Sequence, residues 1–338
     1  MKKSKKESRA RDIISRFREI GLLAFIILFT IYAQISSSRF LSPENINDLL
    51  RNVSIYGILA IGMMMVIITR GIDLSIGATV ALSGMTVALV DVACPALPII
   101  GALGIGIGVG LICGAIIGFL IAKIKILPII ATLGMMNVFR GLTYIIDGTY
   151  NRGNWVSADQ MSDNLKSIAS AKLLGFSILI WIVIVLFIVA YYFLEHTRMG
   201  RKIYAIGSNP DSAVISGIKI DNIIFMVYVI MGALAGLAGV LYISKFAFAQ
   251  GDSASGYELS VIAICVIGGV SIAGGSGRII GIVLGTVLFG IIFNALPLLK
   301  VSGFWETALQ GAIILAAVLL NVFIKRSVDR SNLSRRAI

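Results

Sequence analysis

Ten apolar runs, each a candidate membrane span, follow one another along this chain. They cover about residues 19–36, 49–69, 75–92, 98–122, 128–146, 176–195, 223–246, 257–272, 279–296 and 303–324. A membrane-spanning helix takes roughly 20 predominantly apolar residues. Such a series therefore predicts an all-α integral membrane protein, a polytopic bundle of about ten transmembrane helices, with eight or nine as the alternatives. Hydrophobic residues make up 58% of the 338 and charged residues 14%, against about 25% charged in an ordinary soluble domain. No soluble fold of this length hides so much apolar surface. The one soft boundary lies between the second and third runs. There Thr69-Arg70-Gly71-Ile72-Asp73-Leu74-Ser75 interrupts the apolar sequence, as a tight turn or as a broken helix lining a cavity.

The net charge of +12 is a topology signal rather than a nucleic-acid signature, because the charges sit at the two ends and in short loops. Placing the N-terminus inside puts 21 of the 29 Lys and Arg residues on the inner side and seven on the outer side, with Arg140 alone inside a span. That bias is the positive-inside pattern, and it puts both termini in the cytoplasm. The organisation expected is a basic tail at 1–18, one permeation domain at 19–324 and a second basic tail at 325–338. Simple orientation is the expected role of the first tail, with an amphipathic interfacial helix as the alternative. The first span is too long for the apolar core of a cleavable signal peptide, and no small-residue cleavage site precedes Pro43. The 147–175 segment is the sizeable outer loop, and the polar, basic 198–221 segment is a partly helical inner surface against which another protein could push.

Glycine spacing describes the packing. Gly106, Gly110, Gly114 and Gly118 recur at four-residue intervals on one face of the fourth span, and Gly232–Gly236 and Gly281–Gly285 repeat the spacing. Small residues so spaced let helix backbones approach closely, here within one chain rather than at a dedicated dimer seam.

Enzymatic chemistry is not expected. His196 is the one histidine and has no ligand cluster around it. The three cysteines show no paired spacing, and Gly274-Gly275-Ser276-Gly277-Arg278 lacks the lysine and spacing of a phosphate-binding loop. Polar residues within spans mark pathways or buried pairs because they are costly there. The candidates are Asp73, Asn137, Arg140, Glu258 and Asn294. Arg70 offers Asp73 a local partner, so a capped turn and a substrate contact both fit. Asn137 and Arg140, three apart, share a helical face, where a pathway role competes with hydrogen bonds to a neighbouring helix. Glu258 and Glu306 begin spans and are expected at the hydrated interface. No carboxylate cluster of the kind that binds Na⁺ or relays protons is present, which counts against an ion-coupled carrier.

Several stretches together resemble the ribose-type permease subunits of bacterial ABC importers. They are Gly71-Ile72-Asp73-Leu74-Ser75-Ile76-Gly77 with Ala81-Leu82-Ser83-Gly84, Pro128 to Met135 with Arg140-Gly141, Gly200 to Asn209 with Ala213 and Ser216-Gly217-Ile218, and Gly256 to Leu259 with Gly268-Gly269-Val270-Ser271 and Gly274 to Gly277. The likeness runs from about 45 to 324. It implies a bacterial inner-membrane permease that forms a dimer with a second copy or a paralogue and binds a cytoplasmic ABC ATPase. An extracytoplasmic binding protein would deliver a small sugar, ribose or a relative. The permease would bind no cofactor itself, since ATP and Mg sit on the ATPase. Gly207, Asn209, Ala213, Ser216 and Gly217 fall at the coupling-helix positions of the family pattern. Ser208 or Asn209 suits the N-cap, Pro210 the first turn and Gly217 the end. Val214-Ile215 depart from the basic residue and Leu usual before Ser-Gly-Ile, which bears on the choice of ATPase. A non-sugar substrate, such as a nucleoside or branched-chain amino acid, is the alternative within this architecture, and an ion-coupled carrier the alternative outside it.

Overall fold

A computed structural model describes residues 2–150, 155–302 and isolated positions beyond. Long helices dominate: α1 (Lys2–Ser36), α2 (Pro43–Ile68), α3 (Ile76–Ala93), α4 (Ile99–Ala122), α5 (Pro128–Tyr150), a short α6 (Asp163–Ser170), α7 (Ile178–His196), α8 (Arg198–Ser208), α9 (Pro210–Ile215), α10 (Ile220–Phe246), α11 (Tyr257–Ile267) and α12 (Ile279–Leu298). Eight of the described helices are long and apolar enough to cross a membrane. They match eight of the ten expected runs. The run at 303–324 is described only at isolated positions, and the tail at 325–338 lies outside the described residues. The run at 257–272 is helical only over α11, whose 11 residues rise about 16 Å, half a hydrocarbon core. It ends at Gly268, and a glycine-rich loop returns the chain to α12.

α2 is the buried axis of the bundle. Its second half, Ile55 to Ile68, is shielded on almost every side, and α7, α10, α11 and α12 pack around it. Met63, Met64 and Met65 fill the irregular space there, as flexible thioethers do. The tightest helix pair is α4 with α10, and the glycine face expected from spacing is its cause. A Cβ on Gly110 would stand 2.1 Å from the carbonyl oxygen of Gly232, and one on Gly236 would stand 2.2 Å from that of Gly106. Ser83 on α3 closes the triangle, its hydroxyl donating to Gly236 O at 2.8 Å and Gly106 O at 3.1 Å. These glycines serve packing within one chain. Gly268 on the end of α11 and Gly281 on α12 form a second contact of the same kind.

Of the expected 147–175 loop, residues 147–150 continue α5 and residues 155–175 form a small element at the end of the bundle where α3 finishes. Asp91 receives the backbone N–H and hydroxyl of Ser162 at 2.8 and 2.6 Å, and Ser162 in turn caps α6. A two-residue antiparallel hairpin, β1 (Lys172–Leu173) with β2 (Phe176–Ser177), leads into α7.

Candidate functional site

The 198–221 segment folds as two helices set end to end. Thr197 caps α8, its hydroxyl accepting the Gly200 N–H at 3.1 Å. Ile203 and Ile206 turn inward while Arg201 stays exposed. Asn209, not Ser208, caps α9, its carboxamide oxygen accepting from Ser212 N at 3.1 Å. Pro210 fills the first turn, where a missing N–H is harmless. α9 ends in a Schellman motif: Gly217 has φ of +75°, its N–H meets Val214 O at 2.9 Å, and the Ile218 N–H meets Ala213 O at 3.0 Å. Of the residues expected to couple, Asn209, Ser216 and Gly217 are exposed, whereas Gly207 and Ala213 are buried. What projects farthest is the departing pair, with Val214 59% and Ile215 87% exposed.

Gly207 is buried because three chain segments meet on it. A Cβ there would lie 1.8 Å from Ile68 O and 2.5 Å from Gly275 N. Arg70, at the broken end of α2, donates from Nε to Gly207 O at 2.7 Å and from its guanidinium to Ser208 O at 3.0 Å. Gly275 donates its N–H to Ile68 O at 2.9 Å. The Tyr204 hydroxyl donates to Gly277 O at 2.9 Å, and burial, then the charge of Glu195, pushes its phenol well above the usual range, so it stays a donor. Arg70 thus satisfies the last carbonyls of α8, where cations are favoured, and ties the 69–75 break, α8 and the 268–278 loop into one hub.

Arg70 is therefore not the partner of Asp73, as local spacing had suggested. Asp73 is buried and accepts from the N–H and hydroxyl of Ser75 at 2.9 and 2.6 Å, a capped turn before α3. Burial pushes its carboxyl up to about 6 against the lowering effect of the two Ser75 bonds. Arg140 reaches from α5 to the 247–256 segment, donating to Gly251 O and Ser253 O at 2.8 Å each. Asn137 is exposed and bonds Leu133 O in its own helix, so the two residues are not brought together by side-chain contact. Glu258, expected at the hydrated interface at a span's start, is partly withdrawn from the surface. It is half-buried, its Oε2 has no hydrogen-bond partner, and a Cβ on Gly77 would lie 2.7 Å from it. The reason is that 247–256 folds back from the end of α10 into the bundle, so α11 starts inside it rather than at its surface. Asn294 exchanges amide hydrogen bonds with Asn45 across the α2–α12 contact.

Sequence reasoning missed Arg70 as the organising residue and Asn45 as the partner of Asn294. Arg70 carried a signal of its own, a lone cation at the break of an apolar run. Glu306 lies outside the described residues.

Residues 45–318 match the family described as "Branched-chain amino acid transport system / permease component". The chain is 37% identical over 304 residues to the ribose import permease protein RbsC of Escherichia coli K12, covering 89% of this chain and 92% of that protein. It is 39% identical over 309 residues to RbsC of Bacillus subtilis 168, covering 90% and 92%. It is 33% identical over 302 residues to the L-arabinose ABC transporter permease protein AraH of Azospirillum brasilense, covering 89% and 86%. No solved structure matches.

Proposed function

Because this chain belongs to the ABC-importer permease family whose model spans residues 45–318, we propose that it is the membrane-spanning subunit of an ATP-driven importer for a small sugar, ribose or a related monosaccharide. Relatives named for ribose and arabinose import, matched over nearly their whole length, support the sugar over a nucleoside or an amino acid. The observation that carries the mechanism is the Arg70 hub behind an exposed α9. A cytoplasmic ATPase seated on α9 would bear on Val214, Ile215, Ser216 and Gly217. Force applied there does not stop at a flexible loop. It passes through Ala213 and Gly207 to the end of α2, the start of α3 and the loop before α12, which are the segments that hold Asp73 and lead to α11. On this reading the hub face and both termini are cytoplasmic in a bacterial inner membrane, and an extracytoplasmic binding protein delivers the sugar to the other face. A second permease copy or paralogue completes the pathway. ATP and Mg belong to the ATPase.

Gentle purification of the tagged chain from native membranes tests this reading, with the co-purifying proteins identified. A stoichiometric P-loop ATPase is expected with the wild type, and Ile215→Asp, on a side chain 87% exposed, is expected to weaken its capture tenfold or more. Undiminished capture by the variant would remove α9 as the docking helix. A chain that repeatedly emerges alone and folded would end the ATP-driven reading.

A further inference from the structure

At the end of the bundle opposite the Arg70 hub, where α2 begins and α10 and α12 finish, lies a cavity of about 350 Å³. Its wall is of two kinds. One part is aromatic: Tyr56 and Tyr257 stack with centroids 4.4 Å apart, Tyr56 meets Phe289 edge-on at 5.3 Å, and Phe289 tilts against Phe293 at 4.1 Å. The other part is carboxamide. Asn45 and Asn294 exchange hydrogen bonds of 2.8 and 3.1 Å. The Asn52 Oδ1 accepts from the Lys245 ammonium, which also sits 4.3 Å above the Phe246 ring.

We propose that this cavity is a binding site for a neutral, polyhydroxylated ring, a monosaccharide held at the outer end of the pathway. The proposal rests on the importer reading, which places this face outside. A sugar ring has two apolar C–H faces and an edge of hydroxyls that both donate and accept. Aromatic faces match the first, as amphipathic tyrosines do at binding surfaces, and carboxamides match the second, because each offers donors and acceptors at once. Asn45 has spent both amide hydrogens, on Asn294 and on Phe40 O at 2.7 Å. Asn294 keeps a second hydrogen, and Asn52, its oxygen held by Lys245, keeps its amide as donor. The size lies at the small end of ligand pockets. None of the lining side chains is itself charged, and the Lys245 ammonium beside them is engaged by Asn52 and the Phe246 ring. The chemistry differs from a second cavity walled by Leu50, Phe176, Ile180, Trp181 and Phe187, whose accessible surface is apolar.

The test is uptake of D-ribose and L-arabinose by the complete complex, permease with its co-purified ATPase and binding protein, in proteoliposomes. Asn52→Ala, at an exposed position, and Tyr257→Leu remove one wall each, and Trp181→Phe in the apolar cavity is the control. Loss of one hydrogen bond or one stacking face is expected to raise KM about tenfold, with the elution profile of the complex unchanged and the control at wild-type KM. A wild-type KM in both pocket variants overturns the site while leaving the importer reading standing. So does mass spectrometry showing a phospholipid on the wild type that both variants lose with no change in KM. A wild-type complex that hydrolyses ATP yet imports neither sugar overturns the sugar reading and this site with it.

Discussion

Arg70 does more for this protein than its exposure suggests. It holds a left-handed φ of 67° and spends its guanidinium on two carbonyls 137 and 138 residues away. Lysine keeps the charge but not the planar fork that reaches both acceptors. Arg70→Lys is therefore expected to uncouple ATP hydrolysis from uptake in the reconstituted complex while the permease remains folded, and equal coupling ratios in variant and wild type would refute the hub. Asp73 makes a different demand. Its carboxyl titrates near 6 in the fold but at about 3.9 in an unfolded chain. A raised value means that the stability it contributes is full below about 4 and lost as pH climbs through 6. Asparagine keeps an acceptor for Ser75 and carries no charge. Asp73→Asn is thus expected to gain thermal stability over wild type between pH 5 and pH 7.5, by at most about 3 kcal/mol. A difference in melting temperature that stays flat across that interval would show that Asp73 does not titrate in the fold.

At the scale of elements, the α4–α10 seam shows why glycine spacing is informative. Its four-residue period could be read from the sequence; its partner could not, until the backbones of Gly110 and Gly232 were seen to touch. Gly110→Ala puts a methyl 2.1 Å from a carbonyl oxygen, whereas Gly104 and Gly108 on the same helix have nothing within 4 Å. The expected outcome is loss of folded yield and melting temperature for Gly110→Ala and no change for Gly104→Ala, checked by size-exclusion profile and thermal scan. Equal behaviour would mean that the helices separate easily. α9 was legible almost entirely, since a cap, a first-turn proline and a terminal glycine are local chemistry: Ser208 or Asn209, then Pro210 and Gly217 outlined it, and the structure chose Asn209 as the cap. α11 was not. Its apolar composition matches a span, but its length was cut by the 247–256 segment folding back into the bundle, a non-local event that hydropathy does not register.

Across the whole molecule, Arg140 ties one long helix to that inserted segment. Tyr144, on the same helix, packs where Gly251 leaves room for its ring. Removing the guanidinium leaves two buried carbonyls without donors. Arg140→Met is accordingly expected to raise amide hydrogen exchange across 247–258 while α4 and α10 keep their protection. An unchanged exchange pattern would show that the segment stands without its anchor.

The sequence by itself determined the membrane, the long helices, the packing glycines, the short helix α9 with its caps and, through a motif order running from 45 to 324, the family. All of these follow from properties that neighbouring residues share: apolar run length, helical periodicity and local hydrogen bonding. Tertiary structure alone decided which polar residues meet. Arg70 with Gly207, Asn45 with Asn294 and Arg140 with Gly251 join positions 137, 249 and 111 residues apart. Helical periodicity tells which face a side chain occupies, but not what stands opposite. In a medium without water that opposite group decides whether a buried polar atom is paired, as Asp73 is, or left without a partner, as Glu258 Oε2 is.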